Sequence, residues 1–345
     1  MRETRISVLR AEAALLLALG AGCGNSDHGS STTTALGGVP FTTVGRALPT
    51  FVDTSRPTQS NGTYPGAPTR TLPCIVWYPG QAQGGQGGAE TIPCLAGVAK
   101  DHRGGSDGCT VVADAPLDTS GAPYPLIVFS HGFGNSAAAT ASFSQALAQY
   151  GYIVVAPTFP LSQDNAPGGS SVNDLPAQAG DVGFLINVFL GEVAGLPAPF
   201  PGAISPDEIG AAGRSLGAST TLLATHDVKY LDPRIRASAP VSPGWVIQTA
   251  LLGNDGYFTG ITTPLLIIGG SADDTAPFPQ NDQPPYDLAN PPKILVDEIG
   301  QGHTPETPAS NTALVAFFDV YLRGKTGELA IFDHLPGDNQ VQKAL

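Results

Sequence analysis

Short, continuous apolar segments recur along the chain from Tyr124 onward. Apolar runs of this kind, the first two bounded by Gly and Pro, are typical of strands that are buried on both faces of a parallel sheet. The segments predicted to be strands are 126–129, 152–156, 209–212, 235–239, 264–268 and 293–296.

Between these segments, apolar residues return at spacings of three and four, which predicts amphipathic helices. The clearest sets are Phe143, Leu147 and Tyr150; Val182, Leu185, Ile186 and Phe189; and Leu314, Phe317, Phe318, Tyr321 and Leu322. Strands and helices in alternation favour an α/β fold with right-handed crossovers, in which helices cover both faces of a mostly parallel central sheet. Segments 44–52 and 72–78 predict extra strands at one edge, in an antiparallel orientation.

The composition is that of a globular chain rich in loops. The 345 residues include 43 Gly and 32 Pro, and only 13% are charged, against roughly 25% in an average soluble domain. The formal net charge is −13, and no run of Lys or Arg occurs beyond the first ten residues. Because nucleic-acid binding needs a basic surface, we expect no nucleic-acid partner.

Residues 1–22 have the pattern of an export signal. Three Arg residues precede an apolar run at 13–19 that is too short to span a bilayer. The small residues before Cys23 resemble the bacterial lipoprotein signal, in which this cysteine is lipidated, although Gly20 stands where that signal usually has Leu. The alternative is ordinary secretion with Cys23 as an incidental thiol. We expect a cell-envelope lipoprotein, or otherwise a secreted or periplasmic protein, that contacts a membrane only through this anchor.

Three further cysteines would meet oxidising conditions after export. Cys94 and Cys109 both lie in a Gly-rich stretch, 80–122, where a bridge would offset the entropy of a long loop. We therefore predict a Cys94–Cys109 disulfide and expect Cys74 to be buried in a strand. A zinc site is not indicated, because the cysteine and histidine spacings of structural zinc sites are missing.

A G-x-S-x-G motif follows the predicted strand 209–212. Gly213 and Gly217 flank Ser215 at a distance of two residues each, and a segment of small residues suited to a helix follows. Glycines at these positions permit the tight turn that exposes a strained nucleophilic serine between a strand and a helix. In this context the sequence resembles the α/β-hydrolase fold family.

That resemblance implies a catalytic triad in the order Ser, acid, His. Asp273 and His303 each follow a later predicted strand, so both would lie at the same sheet edge as Ser215. Asp274 is the rival acid, and Asp273 is preferred because family members commonly have proline four residues after the acid, here Pro277. The remaining histidines fit the role less well, namely His28, His102, His226 and His334.

The resemblance also implies an oxyanion hole made of two backbone amides. One belongs to Leu216, directly after the nucleophile. The other belongs to Phe133, in the loop 130–134, whose His-Gly pair is similar to that of many lipases and esterases. His131 precedes the donor, which favours a role in bracing this loop.

Segments 53–57 and 70–79 look like the N-terminal strands of bacterial hydrolases similar to platelet-activating-factor acetylhydrolase and dienelactone hydrolase. With the other motifs, the resemblance covers about residues 41–325. Such relatives cleave carboxylic esters without a metal, so no cofactor is expected. Arg214 departs from the His or Tyr that frequently precedes the serine.

Two aromatic side chains are candidates for substrate binding. Phe133 would shape the pocket beside the oxyanion donors. Trp245 follows the predicted strand 235–239, where polyester-hydrolysing cutinases carry an aromatic that lines the acyl cleft. The alternative is a core aromatic packed in the region 246–258. The acidic stretch 273–287 lacks the spacing of a calcium loop, which favours an ordinary loop.

The sequence thus predicts a signal at 1–22, a flexible tether at 23–40, one hydrolase domain at 41–330 with the insertion 80–122, and a tail at 331–345. The expected activity is hydrolysis of carboxylic esters through a covalent acyl-enzyme, on short- to medium-chain, lipid-like or polyester substrates. An amide or peptide hydrolase with the same triad is the first alternative. A surface lipoprotein that binds ligand without turnover is the second.

Overall fold

The computed structural model describes Leu36 and residues 40–82, 88–95, 108–193 and 200–345. The predicted signal, Cys23 and nearly all of the tether lie outside the described residues. Among the helices of these described ranges, none combines the length and the hydropathy that a membrane span requires.

Twelve strands are present in the described part of the chain. They are β1 (Thr43–Ala47), β2 (Thr50–Asp53), β3 (Arg70–Pro79), β4 (Ala89–Pro93), β5 (Gly108–Ala113), β6 (Tyr124–Ser130), β7 (Ile153–Pro157), β8 (Ile204–Arg214), β9 (Ile235–Val241), β10 (Leu265–Gly270), β11 (Lys293–Glu298) and β12 (Asn339–Ala344).

The helices among the same residues are α1 (Ala141–Gln149), α2 (Leu175–Phe189), α3 (Leu216–His226), α4 (Trp245–Leu252), α5 (Phe278–Asn281), α6 (Gln283–Leu288) and α7 (Pro308–Arg323). Short 3₁₀ helices cover Ala137–Thr140, Val172–Asp174 and Thr326–Asp333. The acidic stretch predicted to be a loop therefore contains α5 and α6, two short helices that begin near prolines.

Six parallel strands form the centre of the sheet, in the spatial order β7-β6-β8-β9-β10-β11. Their side chains alternate between two hydrophobic clusters. In β6, Leu126 and Val128 pack with residues of α2 and α3, whereas Ile127 and Phe129 pack with residues of α1 and α7. Helices therefore cover both faces of the sheet, as the continuous apolar runs predict.

Further strands extend both ends of the parallel core, and all of their pairings are antiparallel except that of β1 with β5. On one side β3 pairs with β7, β1 with β3, and β5 and β4 follow outward, while β2 pairs with the first residues of β3. On the other side β12 pairs antiparallel with β11. Two segments thus differ from the sequence expectation, because the insertion 80–122 contributes β4 and β5 and the tail 331–345 contributes β12.

Cys94 and Cys109 form a disulfide, with their Cα atoms 5.0 Å apart, and this is the pair that the sequence predicts. The bridge lies beside the β4–β5 ladder, in which Ile92 is paired with Cys109. Cys74 is buried on β3 and unpaired.

A network of buried ion pairs links β2 and β3 to α2. The fully buried guanidinium of Arg70 donates to both carboxylates of Asp174 and Asp181, at 2.5 to 3.2 Å. Arg56 also donates to Asp181 (2.6 Å) and to Asp53 (2.7 Å). Removing one partner from such a network leaves an uncompensated buried charge, which costs about 3–5 kcal/mol.

Candidate active site

Ser215 lies at the sharp turn between β8 and α3. Its backbone angles are φ 54° and ψ −122°, a conformation that is costly for a residue with a side chain. A Cβ atom on Gly213 would collide with the backbone of Gly217, and one on Gly217 would collide with the carbonyl oxygens of Ser130 and His131. The two glycines of the motif are therefore required by backbone contacts on both sides of the turn.

His303 and Asp273 reach Ser215 from the loops after β11 and β10. Nε2 of His303 lies 2.9 Å from Oγ of Ser215, and its Nδ1 lies 2.6 Å from Oδ2 of Asp273. An ionised carboxylate only accepts, so Nδ1 carries the imidazole proton and Nε2 of the neutral ring accepts from the serine hydroxyl. The three side chains form one continuous hydrogen-bonded chain at the carboxyl edge of the parallel strands.

The second carboxylate oxygen of Asp273 is also fixed. Oδ1 accepts the backbone N–H groups of Thr275 (2.9 Å) and Ala276 (2.8 Å), and the carboxylate is fully buried. Asp274 is exposed, and among the described residues its side chain accepts only from the Thr275 hydroxyl, at 3.5 Å. Of the two candidate acids, the structure therefore brings Asp273 to the imidazole.

The amides of Leu216 and Phe133 belong to two segments that adjoin Ser215. Leu216 is the first residue of α3, where N–H groups have no partner within the helix and favour negative charge. Gly132, which precedes Phe133, packs so closely on Ser215 that an added Cβ would lie 3.2 Å from the Ser215 Cβ. Neither amide donates to another described residue. Both donors are thus available next to the nucleophile.

His131, which belongs to the same loop as Phe133, is fully buried. Its ring lies 5.1 Å from that of Phe159, and Phe159 also donates its backbone N–H to Nε2 of His131 at 3.0 Å. The geometry agrees with a bracing role and leaves His303 as the histidine in contact with Ser215.

Trp245 is a core residue at the start of α4, with only 5% of its surface exposed. Its ring centroid lies 5.0 Å from that of Tyr257 and 6.0 Å from that of Phe258. Of the two interpretations, this packing favours the core aromatic over the wall of the acyl cleft. Phe133 is 45% exposed and stays available for substrate contact.

A polar network that the sequence did not indicate joins the two donor segments. The Thr220 hydroxyl, one turn along α3 from Leu216, donates to Oε1 of Gln178 at 2.5 Å. Nε2 of Gln178 donates to Oγ of Ser162 (2.8 Å), and the Ser162 carbonyl oxygen accepts from the Gly134 amide (2.7 Å). No sequence signal could have identified these contacts, because the residues come from α2, α3 and two loops.

No group of three or more His, Cys, Asp or Glu side chains among the described residues is arranged to hold a metal ion.

One buried carboxyl lies close to the acid of the triad. Asp282 is fully buried, and neither of its oxygens has a partner in the described part of the chain. Burial, and next the charges of Asp273 and Asp297, raise the pKa of Asp282 well above its ordinary value.

Comparison with known proteins agrees with this architecture. Residues 67–163 match the family model described as platelet-activating factor acetylhydrolase, isoform II. A ferulic acid esterase from Streptomyces cinnamoneus is similar in structure, with 21% sequence identity, a TM-score of 0.53, and coverage of 83% of this chain and 91% of that chain. The chain has the α/β-hydrolase fold. No curated protein matches the sequence.

The two similarities cover different parts of the hydrolase fold. The family match includes β3 to β7 and the loop with His131 and Phe133, and it ends before Ser215. The structural similarity extends over most of the chain at an identity that supports the fold alone. Neither similarity assigns chemistry to the residues around Ser215.

Proposed function

We propose that this protein is a serine hydrolase that cleaves carboxylic esters, with Ser215 as nucleophile, His303 as general base and acid, and Asp273 as the group that orients His303. The observation that carries the proposal is the hydrogen-bonded chain from Ser215 Oγ through His303 to Asp273, with distances of 2.9 and 2.6 Å. The family match and the structural neighbour, both named for ester hydrolases, support the same class.

The reaction would proceed in two halves. Ser215 Oγ attacks the ester carbonyl carbon while its proton moves to Nε2 of His303, and the amides of Phe133 and Leu216 stabilise the negative carbonyl oxygen. The tetrahedral intermediate expels the alcohol, which takes the proton from His303, and the acyl group stays on Ser215. Water then gives a proton to His303 and attacks the acyl carbon, after which the acid leaves and Ser215 recovers its proton.

For the substrate we propose esters of short- to medium-chain or lipid-like acids, with polyesters as a further candidate. Platelet-activating factor acetylhydrolase and ferulic acid esterase name quite different esters, so they support the bond that is cleaved and single out neither substrate. The half-exposed ring of Phe133 offers an apolar contact beside the nucleophile.

The test measures hydrolysis of p-nitrophenyl esters from acetate to palmitate by the purified protein and by Ser215→Ala. Ser120→Ala is the matched control, because Ser120 is exposed in the segment between β5 and β6 and belongs to none of the loops that carry the triad. Activity that is lost only in Ser215→Ala supports the proposal. The acyl chain that is hydrolysed fastest then indicates the length of the acyl pocket. A folded protein without esterase activity contradicts it, and turnover of p-nitroanilides would then favour an amide hydrolase.

We further propose that the chain is exported and anchored by a lipid on Cys23, as the lipoprotein-like signal indicates. Mass spectrometry of the protein recovered from a bacterial envelope tests this proposal. An acylated N-terminal Cys23 supports the anchor, whereas a mature chain with an unmodified cysteine contradicts it.

A further inference from the structure

The side chain of Arg214 joins the nucleophile turn to two other segments of the site. Nη1 donates to the Ala139 carbonyl oxygen (2.8 Å) and to Glu306 (2.7 Å), and Nη2 donates to the Thr304 hydroxyl (2.7 Å). Ala139 follows the loop that contains Phe133, whereas Thr304 and Glu306 belong to the loop of His303. A planar guanidinium supplies all three bonds at once, which a single lysine ammonium in the same place does with poorer geometry.

Thr304 occupies a strained position directly after the base. Its φ is +54°, in the left-handed region that β-branched residues rarely adopt. The residue is buried, its backbone N–H donates to Oγ of Ser242 (3.1 Å), and its hydroxyl accepts from Arg214. A strained conformation persists only when surrounding contacts hold it, so loss of one contact allows the backbone to relax. Relaxation at Thr304 would displace the adjoining His303.

We propose that Arg214 is a positioning residue, which acts through the Thr304 hydroxyl to hold His303 in hydrogen-bonding distance of Ser215. This inference rests on the proposed function, since it assigns a role within the same triad. The ion pair with Glu306 is not the essential contact. Both charged side chains reach solvent, and pairs of that kind contribute little.

The experiment compares Arg214→Met, Thr304→Val and their double variant with the unchanged protein. Thr304→Val keeps the shape of the side chain and removes the acceptor of the Arg214 bond. A small displacement of a catalytic group strongly lowers the rate of the chemical step. Each single variant is therefore expected to lose about 10- to 100-fold in kcat with little change in KM. Because both changes break the same contact, their effects should not add. The kcat of the double variant is therefore expected to be no lower than that of the less active single variant.

Glu306→Gln is the matched control, because it removes the charge of one Arg214 partner and leaves the bond to Thr304. Its kcat is expected to stay close to that of the unchanged protein. Arg214→Lys is expected to recover part of the activity. An unchanged kcat in both Arg214→Met and Thr304→Val would overturn the proposal, and so would an equal loss in Glu306→Gln.

A measurement without turnover separates this inference from the proposed function. The proton on Nδ1 of His303 gives a downfield NMR resonance when it is held against Asp273, and His303→Gln identifies that signal by its loss. Arg214→Met is expected to broaden or abolish the resonance. Loss of the resonance supports the positioning role even where the protein hydrolyses no ester, in which case only the proposed function fails. A resonance unchanged in Arg214→Met and Thr304→Val overturns the inference.

Discussion

The imidazole of His131 lies 2.7 Å, through Nδ1, from the carbonyl oxygen of Gly132. At the other side of the ring, Nε2 lies 3.0 Å from the Phe159 amide, which is able only to donate. Nε2 is therefore unprotonated, and Nδ1 carries the proton and donates to Gly132. Burial lowers the pKa of His131 to about 4, so the ring stays neutral around pH 7. A neutral ring bonded on both sides holds the peptide that leads into Phe133.

Removal of both ring contacts should weaken catalysis more than substrate binding. In His131→Leu the loop loses its brace, and a displaced oxyanion donor is expected to lower kcat about 10- to 100-fold. His131→Asn, which keeps one donor, is expected to lose less. Steady-state kinetics on a p-nitrophenyl ester give kcat and KM, with His334→Asn as an exposed control. A change confined to KM would contradict this account.

The two neighbouring aspartates should respond very differently to substitution. Asp273→Asn removes the charge that fixes the imidazole tautomer, and in a triad of this kind the loss in kcat is about 10⁴-fold. Asp274→Asn is expected to leave kcat almost unchanged, because Asp274 is exposed and the imidazole of His303 is bonded to Asp273 instead. The two variants have the same chemical change, so each serves as the control for the other. The reverse result would assign the acid to Asp274.

Stability should fall steeply in acid because two histidines are buried in neutral form. Burial lowers the pKa of both His131 and His226 from 6.5 to about 4. Since the folded-state pKa lies below the unfolded value, the contribution is complete above pH 6.5 and is lost as the pH falls toward 4. Each difference corresponds to about 3 kcal/mol when fully expressed.

Urea unfolding of the protein and of His226→Gln between pH 6.5 and pH 4 tests this expectation. The variant is expected to show a shallower decline in the free energy of unfolding, whatever its stability at neutral pH. His334→Gln, at an exposed position, should keep the steep decline. Parallel curves for the protein and His226→Gln would show that the buried ring does not control acid stability.

Asp282 should have the opposite dependence on pH. Its folded-state pKa is raised, so its contribution to stability is present below its ordinary pKa of 3.8 and is lost as the pH rises toward the folded-state value. Asp282→Leu removes a buried polar group without a partner among the described residues, which should stabilise the fold by about 1–3 kcal/mol at neutral pH.

The measurement is the free energy of unfolding of Asp282→Leu and of the unchanged protein at neutral and at acidic pH. The gain is expected to grow as the pH rises. Asp287→Leu, at an exposed position of α6, is the control and should show no such trend. A destabilised Asp282→Leu would indicate that the carboxyl has a partner that it needs.

The disulfide should contribute stability without contributing to catalysis. It closes a loop with a sequence separation of 15, for which the loss of unfolded-state entropy corresponds to about 3 kcal/mol. In the double variant Cys94→Ala with Cys109→Ala, the free energy of unfolding measured in urea should be lower by about that amount, and kcat should be unchanged. Thiol titration of the native protein should find neither cysteine of the bridge, and Cys74 only after unfolding, because it is buried. A loss of kcat would contradict the separation of the two roles.

The sequence anticipated the parallel core and the residues that surround Ser215 for physical reasons. Strands buried on both faces must be apolar throughout, so the six central strands are visible as continuous runs. The turn at Ser215 needs glycine at two fixed positions. A Cβ atom on Gly213 would meet the backbone of Gly217, and one on Gly217 would meet the backbone of Ser130. Asp273 and His303 could be predicted as the acid and the base because each lies in the loop that follows one of these strands.

The features that the sequence did not reveal depend on contacts made after folding. In β12 only Val341 and Ala344 are apolar, and its ladder with β11 consists of backbone hydrogen bonds that composition does not record. The two interpretations of Trp245 differed only in whether Tyr257 and Phe258 cover the ring. The Arg214 and Thr304 partners are separated by 90 residues in the sequence.

The buried network around Arg70 also determines how the fold responds to dissolved salt. Exposed pairs such as Arg234 with Glu192 are weakened by counter-ions, which screen charges over about 8 Å at physiological ionic strength. The side chains of Arg70, Asp174 and Asp181 are fully buried, so dissolved ions do not come between them. The attachment of β3 to α2 through Arg70 should therefore depend much less on ionic strength than the exposed pairs do.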